Sequence, residues 1–276
     1  MLKETQIAFI GSGIMAEAMI KGLVSQGLMP AQNIIASGPR PERGAELAER
    51  YGIQETEDNV AAAKGRDIVV LSVKPQFLDE VLAELCCGAI KPEALVLSIV
   101  AGATIAHIAE GVNHQAIVRV MPNTPAQVGL GMSVWTATPK TDEAQREQAR
   151  TILAALGEEL YMEHEDYLDM ATALSGTGPA YVFLVMEALI DAGVHMGFSR
   201  RVSEQLVLQT MRGSLEFARA SQRHPVELRN MVTSPGGTSA EALYQLEKGG
   251  LRTVISKAVW AAYQKSRYLG GLSRDR

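Results

Sequence analysis

Residues 231–243 read Met-Val-Thr-Ser-Pro-Gly-Gly-Thr-Ser-Ala-Glu-Ala-Leu, a cluster of hydroxyls and glycines set directly before an apolar helical run. Its chemistry-bearing members are Ser234, Gly236, Gly237, Thr238 and Ser239, with Pro235 among them. A Gly-Gly turn ahead of a helix presents bare backbone N–H groups, and the helix start adds partial positive charge. That combination holds a small anion such as a carboxylate without a dedicated arginine. Thr238 or Ser239 can cap the helix or hydrogen-bond a polar ligand atom. Pro235 stiffens the approach, so less ordering entropy is lost on binding. Without a ligand, the same residues are simply a capped helix start. The other end of the chain bears on that choice.

There, Ile7-Ala8-Phe9-Ile10-Gly11-Ser12-Gly13-Ile14-Met15-Ala16 is a strand running through G-x-G-x-x-A into a helix. Gly11 allows the tight turn, Gly13 admits a pyrophosphate to the backbone, and Ala16 permits close helix–strand packing. The helix N-terminus faces the phosphates. A strand before the glycines and a 3.6-period helix after them are the context that makes this motif a dinucleotide site. The second expected strand ends Ile35-Ala36-Ser37-Gly38-Pro39-Arg40, with no carboxylate for a ribose 2′-hydroxyl. Ser37 and Arg40, with Arg43 nearby, instead favour a 2′-phosphate, since guanidinium forks pair well with phosphate oxygens. The expected cofactor is NADP(H), with NAD(H) as the alternative. Further turns follow later strands, at the edge where such sheets bind ligands. They carry Val73-Lys74-Pro75, Ala101-Gly102 and Asn123, the last held between two prolines and placed toward the nicotinamide.

These residues need a scaffold. Apolar or β-branched runs predict strands at Gln6–Ile10, Asn33–Ser37, Asp67–Val73, Leu95–Val100, Ala116–Met121 and Met132–Ala137, with a weaker one at Glu159–Met162. Helical patterns lie between several of them, as at Ile14–Gln26, Pro41–Tyr51 and Gln76–Cys87. Continuous apolar strands such as Ile68-Val69-Val70-Leu71 suit a parallel sheet buried on both faces. Beyond Glu165 the strand signals stop, and helices are expected at Pro179–Met196, Arg200–Ser221, Pro225–Met231, Ala240–Gly249 and Leu251–Leu269. The fold class is α/β: a doubly wound, Rossmann-type sheet over residues 1–164, then an all-α domain over 165–276.

Composition excludes several other classes. The net charge is −5 and no dense Lys/Arg block occurs, so nucleic acid is not an expected partner. Apolar runs such as Ala94 to Ala101 are too short to span a bilayer, and no membrane association is expected. Met1-Leu2-Lys3-Glu4 leads almost directly into a strand, with no signal-peptide core. The adjacent Cys86 and Cys87 read as thiols in a reducing compartment, which makes the expected location cytoplasmic. The five histidines show no metal-ligand spacing, and no metal is expected.

Taken together, five motifs resemble pyrroline-5-carboxylate reductase: Gly11-Ser12-Gly13-Ile14-Met15-Ala16, Val73-Lys74-Pro75, Arg119-Val120-Met121-Pro122-Asn123-Thr124-Pro125, Ser175-Gly176-Thr177-Gly178-Pro179-Ala180-Tyr181, and the turn at 232–238. They span essentially the whole chain. The resemblance implies that NAD(P)H delivers hydride to C5 of 1-pyrroline-5-carboxylate, giving L-proline, the final step of proline biosynthesis. It implies a homodimer intertwined through the helical domain, extending to larger rings such as a decamer, with the turn of one subunit closing over its partner's cofactor. It places substrate on the Ser234–Ser239 loop and on Glu165. It places cofactor on Gly11–Ala16, Ser37, Asn59, Val73–Pro75 and Ala101–Gly102. Thr238 and Ser239 become the catalytic candidates, with the Ser239 hydroxyl polarising or protonating the imine nitrogen. Two departures are mild: Ser239 stands where the family usually has threonine, and Thr177 where serine is frequent.

Two rival readings share the plan. A 3-hydroxyacid dehydrogenase would need a general acid or base, and its family resembles Gly-x-Gly-x-x-x-Lys at the start of the first long helix. Here Gly176-Thr177-Gly178-Pro179-Ala180-Tyr181 leads to Val182, with no lysine. A non-catalytic NADP-binding sensor would leave the 234–239 loop without a purpose.

Overall fold

A strand that is apolar at every position needs cover on both faces, and helices packed on the two sides of the sheet supply it. The computed structural model describes residues 2–86 and 88–272; the helix expected to reach Cys87 ends at Leu85, and Cys87 itself lies outside the described residues. Eight strands form one sheet: β1 Ile7–Ile10, β2 Ile34–Ser37, β3 Gln54–Thr56, β4 Ile68–Leu71, β5 Leu95–Ser98, β6 Ile117–Met121, β7 Gly131–Ala137 and β8 Gly157–Tyr161. Their order is β3-β2-β1-β4-β5-β6-β7-β8. The chain reverses direction across the sheet between β1 and β4, the crevice where open α/β sheets take ligands.

Strands β1 to β6 pair in parallel, β7 runs antiparallel to β6, and β8 is parallel to β7. The antiparallel step sets β7 apart from the parallel pairing of β1 to β6. Residues 122–130 are the whole link between β6 and β7, and a parallel crossover needs about a dozen residues or more. A short 3₁₀ turn at Thr124–Val128 fills that link instead.

The first helices are α1 Ile14–Ser25, α2 Pro41–Tyr51, α3 Asn59–Ala63, α4 Leu78–Leu85, α5 Ile105–Val112 and α6 Glu143–Ala154. Strand residues alternate between two apolar layers, as a period of two requires. Ile7, Phe9, Ile68 and Val70 pack with Met19 and Leu23 of α1 and Ile152 of α6. Ala8, Ile10, Val69 and Leu71 pack with Leu82 and Leu85 of α4 and Ile108 of α5. Helix α4 starts two residues later than the sequence suggests because Pro75–Phe77 form a 3₁₀ turn first. Strand β3 has no apolar signature to announce it. Its Gln54 and Glu55 are exposed, and it joins the sheet only through pairing with β2.

The remaining elements are α7 Tyr167–Ala171, a π-helical turn at Thr172–Gly176, α8 Gly178–His195, α9 Arg200–Ser221, α10 Pro225–Met231, α11 Thr238–Lys248 and α12 Leu251–Leu272. By internal packing, one compact unit runs through Gly178 and resumes at Ala262, and the other is Pro179–Ala261. In the first, Ser266 on the last turns of α12 is 4% exposed and its hydroxyl donates to Asp169 Oδ1 at 2.7 Å. The second leaves large apolar side chains at its surface, including Phe183, Leu184, Leu206, Leu215 and Trp260. Residues 167–195 are long and apolar enough to cross a membrane by length and composition. Asp169, Glu187 and Asp191 interrupt that stretch, so it does not read as one apolar run.

Candidate active site

The β1–α1 turn is built around one conformation that only glycine tolerates. Gly11 has φ +105°, and a Cβ there would lie 2.8 Å from both the carbonyl carbon and oxygen of Ser72 and 2.9 Å from Val73 Cγ1. The Gly11 N–H donates to Ser37 O at 3.0 Å, and Ser72 Oγ donates to Gly11 O at 2.8 Å, so the turn is stitched to both neighbouring strands. Gly13 is the N-cap of α1, and no side chain caps the helix. Its first N–H groups are therefore open to an anion. Ser12 is buried, Ile14 stands 62% exposed at the helix start, and Ala16 packs fully against the core. A Cβ on Gly38 would press on the Ser12 hydroxyl, so the two turns lie close together here.

A cleft of about 600 Å³ opens beside this turn, lined in part by Gly11, Gly38, Asn59, Val73, Phe77 and Glu84. Its size suits a nucleoside end of a dinucleotide. Ser37 is fully buried behind it, and its hydroxyl donates to Asn59 Oδ1 at 2.7 Å. Asn59 Nδ2 in turn donates to Glu84 Oε2 at 2.7 Å.

The two arginines near the β2 end have separate fates. Arg43 is committed to the fold: Nε donates to Ser12 O at 3.1 Å, Nη1 pairs with Glu46 at 2.7 Å, and Nη2 pairs with Glu17. Arg40, the exposed N-cap of α2, has no ion pair among the described residues and stays available to a phosphate.

Beyond the switch point, exposed Lys74 precedes the Pro75 turn. A second cleft of about 390 Å³ is lined by Pro75, Ala101, Gly102, His107 and Leu269, among others. Gly102 has φ +75°, and a Cβ there would lie 3.1 Å from Leu269 Cβ. Asn123 braces its own loop, accepting from Met132 N at 2.8 Å and donating to Ser175 O at 3.1 Å. Glu165 Oε1 accepts from Ile105 N at 2.8 Å and from Arg119 Nη1 at 2.6 Å. Its Oε2 has no hydrogen bond among the described residues.

In the helical unit, Ser234 O accepts from Gly237 N at 3.0 Å, and Gly236 takes φ +70°, which closes the turn. Gly237 is the N-cap of α11 and receives no side-chain cap. The capping role open to Thr238 or Ser239 is not taken, because both lie inside the first helical turn. Among the described residues, their N–H groups and hydroxyls have no hydrogen-bond partner. An uncapped helix start beside a glycine pair is an anion site in waiting.

A family model described as pyrroline-5-carboxylate reductase dimerisation matches residues 165–269, and one described as NADP oxidoreductase, coenzyme F420-dependent, matches residues 6–102. The chain is 41% identical to pyrroline-5-carboxylate reductase of a Synechocystis strain over 265 residues, covering 96% of this chain and 98% of that one. The chain belongs to the pyrroline-5-carboxylate reductase family. The reductase of Pseudomonas aeruginosa is 42% identical, with 96% of each chain covered. A crystal structure of the Plasmodium falciparum pyrroline carboxylate reductase with NADP bound superposes with a TM-score of 0.90 at 33% identity, covering 98% of this chain and 100% of that one. The dimerisation match gives the exposed apolar surface of α8 and its neighbours a use in homo-oligomer formation, with no need of a lipid.

Within this reductase-family site, sequence reasoning missed Glu84 as the partner of Asn59 and Arg119 as the partner of Glu165. It also missed that Glu17 would claim Arg43. Burial pushes the Glu17 carboxyl up, but the Arg43 guanidinium, the Tyr51 hydroxyl and Arg50 outweigh it and hold the group below its ordinary 4.5. A depressed carboxyl stabilises the fold above its unfolded value and loses that contribution as pH falls through the folded one. Thermal melts below about pH 4.5 should therefore decline less steeply in Glu17→Gln than in the parent chain. Parallel acid limbs in the two proteins would mean that Glu17 carries no linkage.

Proposed function

We propose that the protein reduces the C5=N bond of 1-pyrroline-5-carboxylate to give L-proline, using NADPH in preference to NADH. Full-length identity to curated reductases, covering both the dinucleotide turn and the helical region, is the observation that carries this reading. Residues 1–164 serve as the dinucleotide domain and 165–276 as the helical substrate domain. The chain acts as a cytoplasmic homodimer that assembles further into a ring, with neither membrane nor nucleic acid as partner. NADP(H) is favoured because β2 ends without a carboxylate, because Arg40 has no ion pair among the described residues, and because the Plasmodium relative binds NADP.

When bound, the nicotinamide supplies the hydride. The residues of this chain hold the reactants for it. Gly11 to Ala16 receive the pyrophosphate, with Val73 to Pro75, Ala101, Gly102 and Asn123 along the remaining path. The open N–H groups at Thr238 and Ser239 hold the substrate carboxylate, with Ser234, Gly236 and Gly237 shaping the turn, and Glu165 is a further substrate-binding candidate. The imine carbon is already electrophilic, so transfer needs alignment and a proton for nitrogen more than a strong base. The Ser239 hydroxyl donates a hydrogen bond to that nitrogen, directly or through water, and the proton that completes the amine is drawn from solvent along this contact.

Purified protein should consume NADPH rapidly when 1-pyrroline-5-carboxylate is added, with NADH slower under the same conditions. No turnover with NADPH binding intact would transfer the case to a sensor. In the same assay, Ser239→Ala should lose about 1–3 kcal/mol of transition-state binding, the range for a lost buried hydrogen bond. A parent-like kcat/KM in that variant would remove Ser239 from the mechanism.

A further inference from the structure

We propose that Glu84 is a positioning residue for cofactor selectivity, acting through Asn59 to restrain the preference for NADPH over NADH. The inference rests on the dinucleotide reading of the β1–α1 site. It starts from hydrogen-bond direction. A carboxylate accepts and does not donate, whereas a carboxamide has one accepting and one donating end. Glu84 Oε2 lies 2.7 Å from Asn59, so the amide must turn its Nδ2 toward Glu84. Oδ1 then faces Ser37, whose hydroxyl donates to it at 2.7 Å, with Phe9 O the more distant acceptor at 3.4 Å. One acidic side chain on the last turn of α4 thus fixes the polarity of the whole chain back to the end of β2.

Position makes that polarity matter. Ser37 ends β2 opposite Ile10 of β1, where a dinucleotide fold reads the ribose 2′ position. Ser37 itself is 0% exposed, so Asn59 is the group of the pair that lines the cleft. Glu84 lines the same cleft as Gly38 and Pro39, which begin the turn leading to Arg40. Glu57, Asp58 and Glu80 line the cleft as well, and Glu84 is set apart from them by its bond to Asn59. Arg40 attracts a 2′-phosphate, and Glu84 repels it while also holding the Ser37 proton and one Asn59 N–H away from it. A 2′-hydroxyl carries no charge and can donate as well as accept, so it escapes most of that penalty. NADH use is built into this site by Glu84, and the absence of a carboxylate at the end of β2 is partly offset by one supplied from a different element.

The test is calorimetric binding of NADPH and NADH to the full-length protein and to Glu84→Gln, with steady-state kinetics on the same samples. The substituted glutamine keeps the size of the side chain and can donate or accept, so the amide chain is freed and the charge removed. The NADPH to NADH affinity ratio of this variant should rise about five- to tenfold, the scale of one screened like-charge contact and one reoriented hydrogen bond. The gain should lie in KM for NADPH, with kcat and the melting temperature unchanged. Glu84→Asp keeps the charge and should stay near the parent ratio. A Glu84→Gln ratio less than about threefold above the parent, which is under about 0.7 kcal/mol, would overturn the proposal and leave Glu84 a surface partner of Asn59. Failure of the parent chain to bind either dinucleotide would overturn the cofactor reading first, and this inference with it.

Discussion

Gly13→Ala should fold and melt like the parent chain, yet bind NADPH about a hundredfold more weakly, a loss of about 2.7 kcal/mol. The backbone at Gly13 has φ −76° and ψ −177°, which any residue adopts. A Cβ there finds only Ser72 O, at 4.0 Å, so nothing in the folded chain objects to alanine. The methyl would stand instead in the path of the pyrophosphate and push it off the open N–H groups of α1, and hydrogen bonds to charged groups are worth about 1.5–3 kcal/mol each. Gly11→Ala is the contrasting control. Its positive φ and the backbone of Ser72 at 2.8 Å leave no room for a Cβ. Strain and overpacking together should take about 2–4 kcal/mol from stability, and binding should fall as well. Thermal melts and NADPH titrations of both variants separate a ligand role from a folding role. Parent-like affinity in Gly13→Ala would remove this turn from the pyrophosphate site.

Arg119→Leu should lower the unfolding free energy by about 3 kcal/mol, because it strands carboxylates that a buried guanidinium now neutralises. Arg119 is 3% exposed. Its Nη1 meets Glu165 at 2.6 Å, and its Nη2 lies 3.7 Å from Asp169. Both carboxylates are also held from elsewhere, Glu165 by the N–H of Ile105 at the start of α5 and Asp169 by Ser266 of α12. One arginine on β6 thus fastens α5, α7 and the end of α12 at once. Equilibrium denaturation of Arg119→Leu beside Arg119→Lys measures this, with lysine keeping the charge and losing the fork. The lysine variant should fall between the parent and leucine. A loss under about 1 kcal/mol in Arg119→Leu would show that the cluster is held by solvent-screened contacts alone. Glu165, released from its tether, should also lose its fixed orientation, so activity should fall further than the stability loss alone accounts for.

Much of this was readable before any coordinates. The strand–turn–helix at 7–16 announces itself because the apolar run, the glycines and the helical period are consecutive in sequence, and each obeys a local rule. Helix α9 matches its expected limits at Arg200 and Ser221, where Ser199 caps one end and Gln222 takes the left-handed conformation at the other. The 234–239 turn was legible for the same reason, since Pro235 and Gly236 dictate its shape within four residues. The short polar β3 was not legible. It carries no periodic signal, and only the edge offered by β2 makes it a strand.

The sequence by itself determined the order of the strongly patterned strands and helices, the glycine turn for a dinucleotide, the hydroxyl-rich turn before a helix and the family to which they belong, because all of these are local patterns. Tertiary structure alone decided the partners. Arg43 goes to Glu17 and leaves Arg40 open, Asn59 lies between Ser37 and Glu84, Arg119 gathers Glu165 and Asp169, and β7 turns antiparallel. Each is a choice among charged or polar groups far apart in the chain, and neither periodicity nor propensity ranks such pairings. Only the packing of the sheet and its helices brings one candidate within hydrogen-bond reach and carries the others away.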